Sequence, residues 1–183
     1  MTRTPPPAPP SVEDRLLGLA DRLEIYELLA RYCMARDDGD LTALLATFTA
    51  DAEFERGGAI ARGQAAIESF FRASFARYDL TLHTVHLPAV ELLGAGTAAG
   101  LVNGHAELVL DAVPYLAAYR YTDSYRQADG RWLFARRQLR FLYAVRADSY
   151  SRAFRDQLRI QWPDGERLPA DYPEREPHWQ RGV

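Results

Sequence analysis

The chain carries a single cysteine, Cys33, in 183 residues. That excludes an intrachain disulfide and any metal centre built on several thiolates. Positive charge is not in excess: 22 basic residues stand against 25 acidic ones, for a formal charge of −3, unlike the basic face of a nucleic-acid binder. No apolar run approaches the ~18 residues needed to span a bilayer. The opening "MTRTPPPAPP" has none of the apolar core of a signal peptide. The expectation is a soluble cytoplasmic protein with neither nucleic acid nor a membrane as partner. Histidine is scarce, with four in all. There is no HExxH spacing and no glycine-rich phosphate loop, so neither a metal nor an organic cofactor is expected.

What is present is a hydrophobic fraction of 48% in a single-domain length, enough for one substantial core. The proline-rich "TPPPAPPS" predicts an extended tail over residues 1–11. Residues 12–148 read as the folded domain and 149–183 as a C-terminal helix and arm, with a helix over 149–160. Ser11 with Asp14 forms a capping-box signal for a helix from Val12 to about Arg36, with Gly18 a possible division. After "DDGD", Asp40 caps a short helix "LTALLATF", and "DAEFER" and "GGAIARG" supply two short strands. "GQAAIESFFRASFARY" is again helical. From Thr81 the period becomes two, predicting long strands at 81–94, 97–111, 115–128 and 131–144 with short links. That order is an antiparallel meander after helices, an α+β domain with helices covering one face of a curved sheet.

Strand parity sorts the polar residues. In "YDLTLHTVHLPAVELL" the even positions Leu82, Thr84, His86, Val90 and Leu92 share a face, so His86 is expected inward and His83 outward or at the edge. Two histidines on opposite faces do not make a metal pair. His86 reads as either a satisfied rim histidine or a base. In the last strand, Arg137 interrupts the apolar row Leu133, Ala135, Leu139, Phe141 and Tyr143, and a guanidinium there requires an anionic or polar partner. Tyr115, Tyr119, Tyr121 and Tyr125 share one face of the third strand, as core or as the wall of a pocket for a flat hydrophobic molecule. His105 is a secondary candidate. Asp37, at a helix C-terminus, opposes the macrodipole, as part of a polar turn or of a site.

The segment "LEIYELLARYCMARDDGDLTALLATFTADAEFE", then "ARGQAAIESFF", "HTVH" and "DGRWLFARRQL", resembles the SnoaL-like members of the nuclear transport factor 2-like superfamily. The layout is most similar to its scytalone dehydratase, hexachlorocyclohexane dehydrochlorinase and bile-acid 7α-dehydratase branches. The resemblance covers about residues 20–145 and implies a cone-shaped α+β barrel: a bent antiparallel sheet, with helices on its concave face, around an apolar pocket. It also implies a cofactor-free Asp–His enzyme. Position by position, the aspartate falls on Asp37, the histidine on His86, an arginine on Arg137 and a helix tyrosine on Tyr32. Where scytalone dehydratase has a tyrosine immediately before its aspartate, this chain has Arg36. Tyr119, Tyr121, His105, Phe54, Phe71 and Phe141 are the expected substrate-binding residues.

Three functions remain open from the sequence. One is a dehydratase-like eliminase or isomerase acting on a hydrophobic cyclic molecule, polyketide-like or steroid-like. The second is a polyketide cyclase. The third is non-catalytic: the small structural subunit of a ring-hydroxylating dioxygenase, or a binding module. The resemblance further implies a homo-oligomer, dimer or trimer; Trp162 and Trp179, in the C-terminal arm that the resemblance does not cover, read as interface or lid anchors.

Overall fold

The computed structural model describes residues 11–155, 157–163 and 165–173. The tail expected over residues 1–11 lies, but for Ser11, outside the described residues, as does Trp179. Helix α1 spans Val12–Asp37. Asp14 N–H donates to Ser11 Oγ, and the Asp14 carboxylate accepts from Ser11 N–H, each at 3.0 Å. Gly18 does not divide it. The helix stops where Gly39 adopts a φ of +67°, the left-handed geometry that glycine enters most easily. Its first half exposes Val12, Leu16, Leu17, Leu19 and Leu23, while Ile25, Leu28, Leu29, Tyr32 and Cys33 are buried.

Helix α2 (Leu41–Leu45) starts at Asp40, whose side chain accepts from Ala43 N–H. Strands β1 (Phe48–Arg56) and β2 (Ala59–Arg62) form a hairpin, and α3 spans Gln64–Arg77. Then come β3 (Leu80–Val85), β4 (Ala89–Gly94), β5 (Thr97–Leu110), β6 (Val113–Ala128) and β7 (Arg131–Arg146). The meander has the expected order, except that the strand expected at 81–94 is two. Both β3 and β4 pair with β5, and the ladder breaks at 86–88, where Pro88 cannot donate to it.

Three expectations are corrected. The sheet is a curved, open array of order β2-β1-β7-β6-β5-β3, with β4 also on β5; it does not close into a barrel. It is not wholly antiparallel, because β1 runs parallel to β7. The helix expected at 149–160 is instead a 3-10 segment, Ala147–Arg155. It lies against Ala118, Tyr143 and Val145 on the outer face of the sheet.

The helices pack on the inner face of the sheet around an aromatic cluster. Tyr32 meets Phe134, Phe48, Tyr121 and Phe71 edge-on at centroid distances of 5.5, 6.0, 6.1 and 6.2 Å. Each such pair contributes about 0.5–1.5 kcal/mol beyond area burial. After the 3-10 segment the chain turns back along the edge of β7. Ile160 bridges Ala144, and Asp171 exchanges hydrogen bonds with the Phe141 backbone, its own N–H donating and its carboxylate accepting. This arm carries Trp162 to the inner face, where it meets Phe141 and Tyr115.

Candidate functional site

Asp37 ends α1 with its carboxylate turned onto β3. One oxygen accepts from the His83 backbone N–H at 2.7 Å. The other accepts from Thr81 Oγ1 at 2.9 Å and lies 2.5 Å from His83 Nδ1. These three donors compensate for the unfavourable field at a helix C-terminus. With Nδ1–H committed to Asp37, Nε2 of His83 is the unprotonated nitrogen. His83 lines a small cavity of about 30 Å³, walled by Tyr32, Tyr119 and Tyr121, Phe54, Phe71 and Phe141, and Trp162.

The expected partner of Asp37 was His86. The structure brings His83 there instead and turns His86 outward. The inward residues of β3 are Thr81, His83 and Val85, while Leu80 and Leu82 are exposed. In β4 the less exposed residues are the even ones, Val90 and Leu92. The alternation therefore changes phase across Leu87–Pro88, and inferring His86 from Val90 and Leu92 carried parity over a break in the ladder. His86 and His105 sit together on the exposed outer face, Nε2 to Nδ1 at 3.0 Å. Neither reaches the cavity.

Arg137 has the anionic partner that its place in an apolar row requires, but it does not line the cavity. It is fully buried, and its Nε and Nη2 donate to the two carboxylate oxygens of Asp123 at 3.0 and 2.9 Å. Its guanidinium lies 3.7 Å from the Tyr121 ring centroid, 4.0 Å from Phe134 and 4.3 Å from Tyr32. Arg137 thus stands behind two cavity tyrosines rather than in the cavity wall. Burial by itself favours the neutral guanidine, but the Asp123 carboxylate outweighs it and holds the charge more firmly than usual. Bulges in the β6–β7 pairing near Tyr125 and Tyr119 put Trp132, Phe134, Arg137 and Phe141 in one buried core, across the parity predicted for β7.

Burial pushes the His83 imidazole below its ordinary pKa. The bond to Asp37 opposes this, and the nearby positive charges of Arg36 and Arg137 reinforce it. Burial pushes the Asp37 carboxyl up, but its bonds to His83 and Thr81 outweigh that and leave it lowered. The pair is a neutral imidazole beside a carboxylate, an arrangement able to accept a proton at Nε2. Burial raises Tyr32, Tyr119 and Tyr121, so each phenol is a hydrogen-bond donor and not a base. The Tyr119 hydroxyl is buried and has no hydrogen-bond partner among the described residues. Burial raises the Cys33 thiol to about 11, which leaves it inert as a nucleophile. Among the described residues no group of three or more His, Cys, Asp or Glu is arranged to hold a metal ion.

Sequence reasoning missed His83, Arg36, Arg56, Ser74 and Tyr78 in the cavity wall. Arg36 had a legible signal: it follows Tyr32 at i+4, on one helix face.

Residues 18–138 match a family model described as a SnoaL-like domain, more than half of the chain. No curated protein matches. Among solved structures, a hexachlorocyclohexane dehydrochlorinase (LinA, type 2) is 20% identical with a TM-score of 0.68, covering 82% of this chain and 99% of its own. A candidate scytalone dehydratase from Novosphingobium aromaticivorans is 19% identical with a TM-score of 0.66, covering 74% and 91%. From the same organism, an NTF2-like protein with a cystatin-like fold is 28% identical with a TM-score of 0.59, covering 72% and 90%. Among the described residues no helix is long and apolar enough to cross a membrane.

Proposed function

We propose, for a chain that belongs to the SnoaL-like domain family of the nuclear transport factor 2-like superfamily, a cofactor-independent acid–base activity. The class is dehydratase-like elimination, isomerisation or cyclisation of a hydrophobic cyclic molecule. The observation that carries this reading is the 2.5 Å contact of His83 Nδ1 with Asp37 beside an aromatic cavity. Nε2 of His83 removes a proton from a carbon next to a carbonyl. Asp37 holds the tautomer and stabilises the imidazolium that forms. The Tyr119 hydroxyl, which has no partner among the described residues, donates to the developing enolate oxygen. The imidazolium then returns its proton to a leaving hydroxyl or to another carbon, completing elimination or isomerisation.

The test is solvent-deuterium exchange at the acidic carbon across a panel of alicyclic β-hydroxy ketones. His83→Gln should lower exchange by about 10²–10⁴, and His86→Ala should leave it unchanged. Exchange that persists in the His83 variant refutes the assignment.

A further inference from the structure

We infer that the molecule taken by this cavity is an anion, a flat hydrophobic carboxylic acid whose carboxylate is held between Arg36 and Arg56. The inference rests on reading the cavity as the substrate site and adds the class of substrate. Both arginines line the cavity. Arg36 is 7% exposed, and its hydrogen bond among the described residues goes to a neutral group, Ser74 Oγ, at 2.7 Å. The hydrogen bond from Arg56 also goes to a neutral group, the Tyr78 hydroxyl, at the long distance of 3.5 Å.

Among the described residues no carboxylate forms an ion pair with either arginine, and the acids next to them in sequence, Asp37 beside Arg36 and Glu55 and Glu53 beside Arg56, are committed elsewhere, while Asp38 is exposed. Asp37 holds His83, Glu53 pairs with Arg62 and Arg136, and Glu55 pairs with Arg136 and also accepts from Gln138. Arg137 shows how this fold treats a buried guanidinium with no outside partner: it supplies Asp123. Leaving Arg36 without a carboxylate costs stability, and a bound anion removes that cost.

The geometry favours a carboxylate on an aromatic or alicyclic body. The Arg36 guanidinium stands 5.0 Å from the Phe75 ring centroid, 5.4 Å from Tyr78 and 5.8 Å from Phe71. That of Arg56 stands 5.2 Å from Trp162 and 5.4 Å from Phe141. Rings attract the flat faces of a guanidinium, whereas its N–H donors lie in the plane, the arrangement that grips a carboxylate with two bonds. The two cations meet opposite parts of the same residue, Arg36 at the Tyr78 ring and Arg56 at its hydroxyl. Beyond them the walls are aromatic and lead to His83. A cavity of about 30 Å³ admits water but no organic acid, so side chains must yield on binding. Once bound, the anion also offsets the Arg36 charge that helps hold the His83 imidazole down, so the base strengthens when its substrate is present.

Benzoate and its neutral isostere benzamide are the probes, titrated into the full chain by calorimetry and thermal melting. Benzoate should bind and raise Tm, with affinity falling as salt rises, and benzamide should bind at least tenfold more weakly. Arg36→Gln and Arg56→Gln should each weaken benzoate about 10–100-fold. Arg36→Lys, which keeps the charge and guards against misfolding, should lose less. His83→Gln should keep benzoate binding while losing deuterium exchange.

Undetectable benzoate binding, equal binding of benzamide, or glutamine variants that bind benzoate like the parent would each overturn the inference. Inorganic phosphate binding as tightly as benzoate would overturn the carboxylate assignment. Exchange confined to neutral ketones, with His83 still required, would sink the anionic substrate and spare the base. Benzoate binding that needs both arginines, with exchange indifferent to His83, would do the reverse.

Discussion

Replacing Asp123 with Ala would strand a guanidinium in the core. Arg137 is 0% exposed and has two charge-assisted bonds to Asp123, at 3.0 and 2.9 Å. The Tyr125 hydroxyl donates to the same carboxylate at 2.9 Å. The substitution leaves one cation without a counter-ion and one phenol without an acceptor. Removing one partner of a buried pair typically costs about 3–5 kcal/mol. The three rings around Arg137 remain and keep the cost within that range, because desolvated cation–π contacts are worth about 2 kcal/mol. Against a typical domain stability of about 5–15 kcal/mol, that is a large share. For a chain of this size Tm should fall by about 6–20 °C. Urea unfolding followed by circular dichroism measures it, with the midpoint falling and the m-value unchanged. The double variant Asp123→Leu with Arg137→Met should recover most of the loss, since it removes both charges. A single variant within about 1 kcal/mol of the parent, or a double variant no better than the single one, would refute the view that the pair is obligate.

Burial holds the His83 imidazole below its usual value, so the acid limb of the pH–rate profile should lie below pH ~6.5. The associated stability is fully present above that pH and is lost as pH falls through the folded-state value. Asp37→Asn removes the negative charge that raises His83, so the limb should move lower still while the rate falls about 10²–10⁴-fold; a limb moving up would contradict the pairing. Gly104→Ala would place a methyl 2.6 Å from Tyr119 Cε2 and 2.8 Å from the Thr84 carbonyl oxygen. It should cost about 1–3 kcal/mol and displace the Tyr119 hydroxyl, read as lost stability in urea together with slowed exchange.

Much of the architecture was legible because its causes are local. Ser11 with Asp14 and Asp40 with the following turn are caps, and each sits where its helix begins. The tyrosine row of β6 alternates without interruption, so Tyr115, Tyr119, Tyr121 and Tyr125 are all buried together as the period requires. Asp37 stood out as an acid at the wrong end of a helix, and the structure supplies the three donors that explain it.

Which histidine meets Asp37 was decided elsewhere, because strand parity holds only while the ladder is continuous. The break at Pro88 exchanges the faces of β3 and β4, and bulges in the β6–β7 pairing do the same to β7. The counter-ion of Arg137 depended on cross-strand register, which pairs it with Asp123. That Arg36 and Arg56 line one cavity depended on laying α1 against β3 and β7 and α3 against β1, and on closing the wall with Phe141 and Trp162. The sequence by itself determined where α1 and α2 start, where the long strands β5, β6 and β7 run and that a carboxylate stands at the end of α1. Tertiary structure decided which side chains share the cavity, because long-range register and one-residue irregularities reverse a face without leaving a local signal.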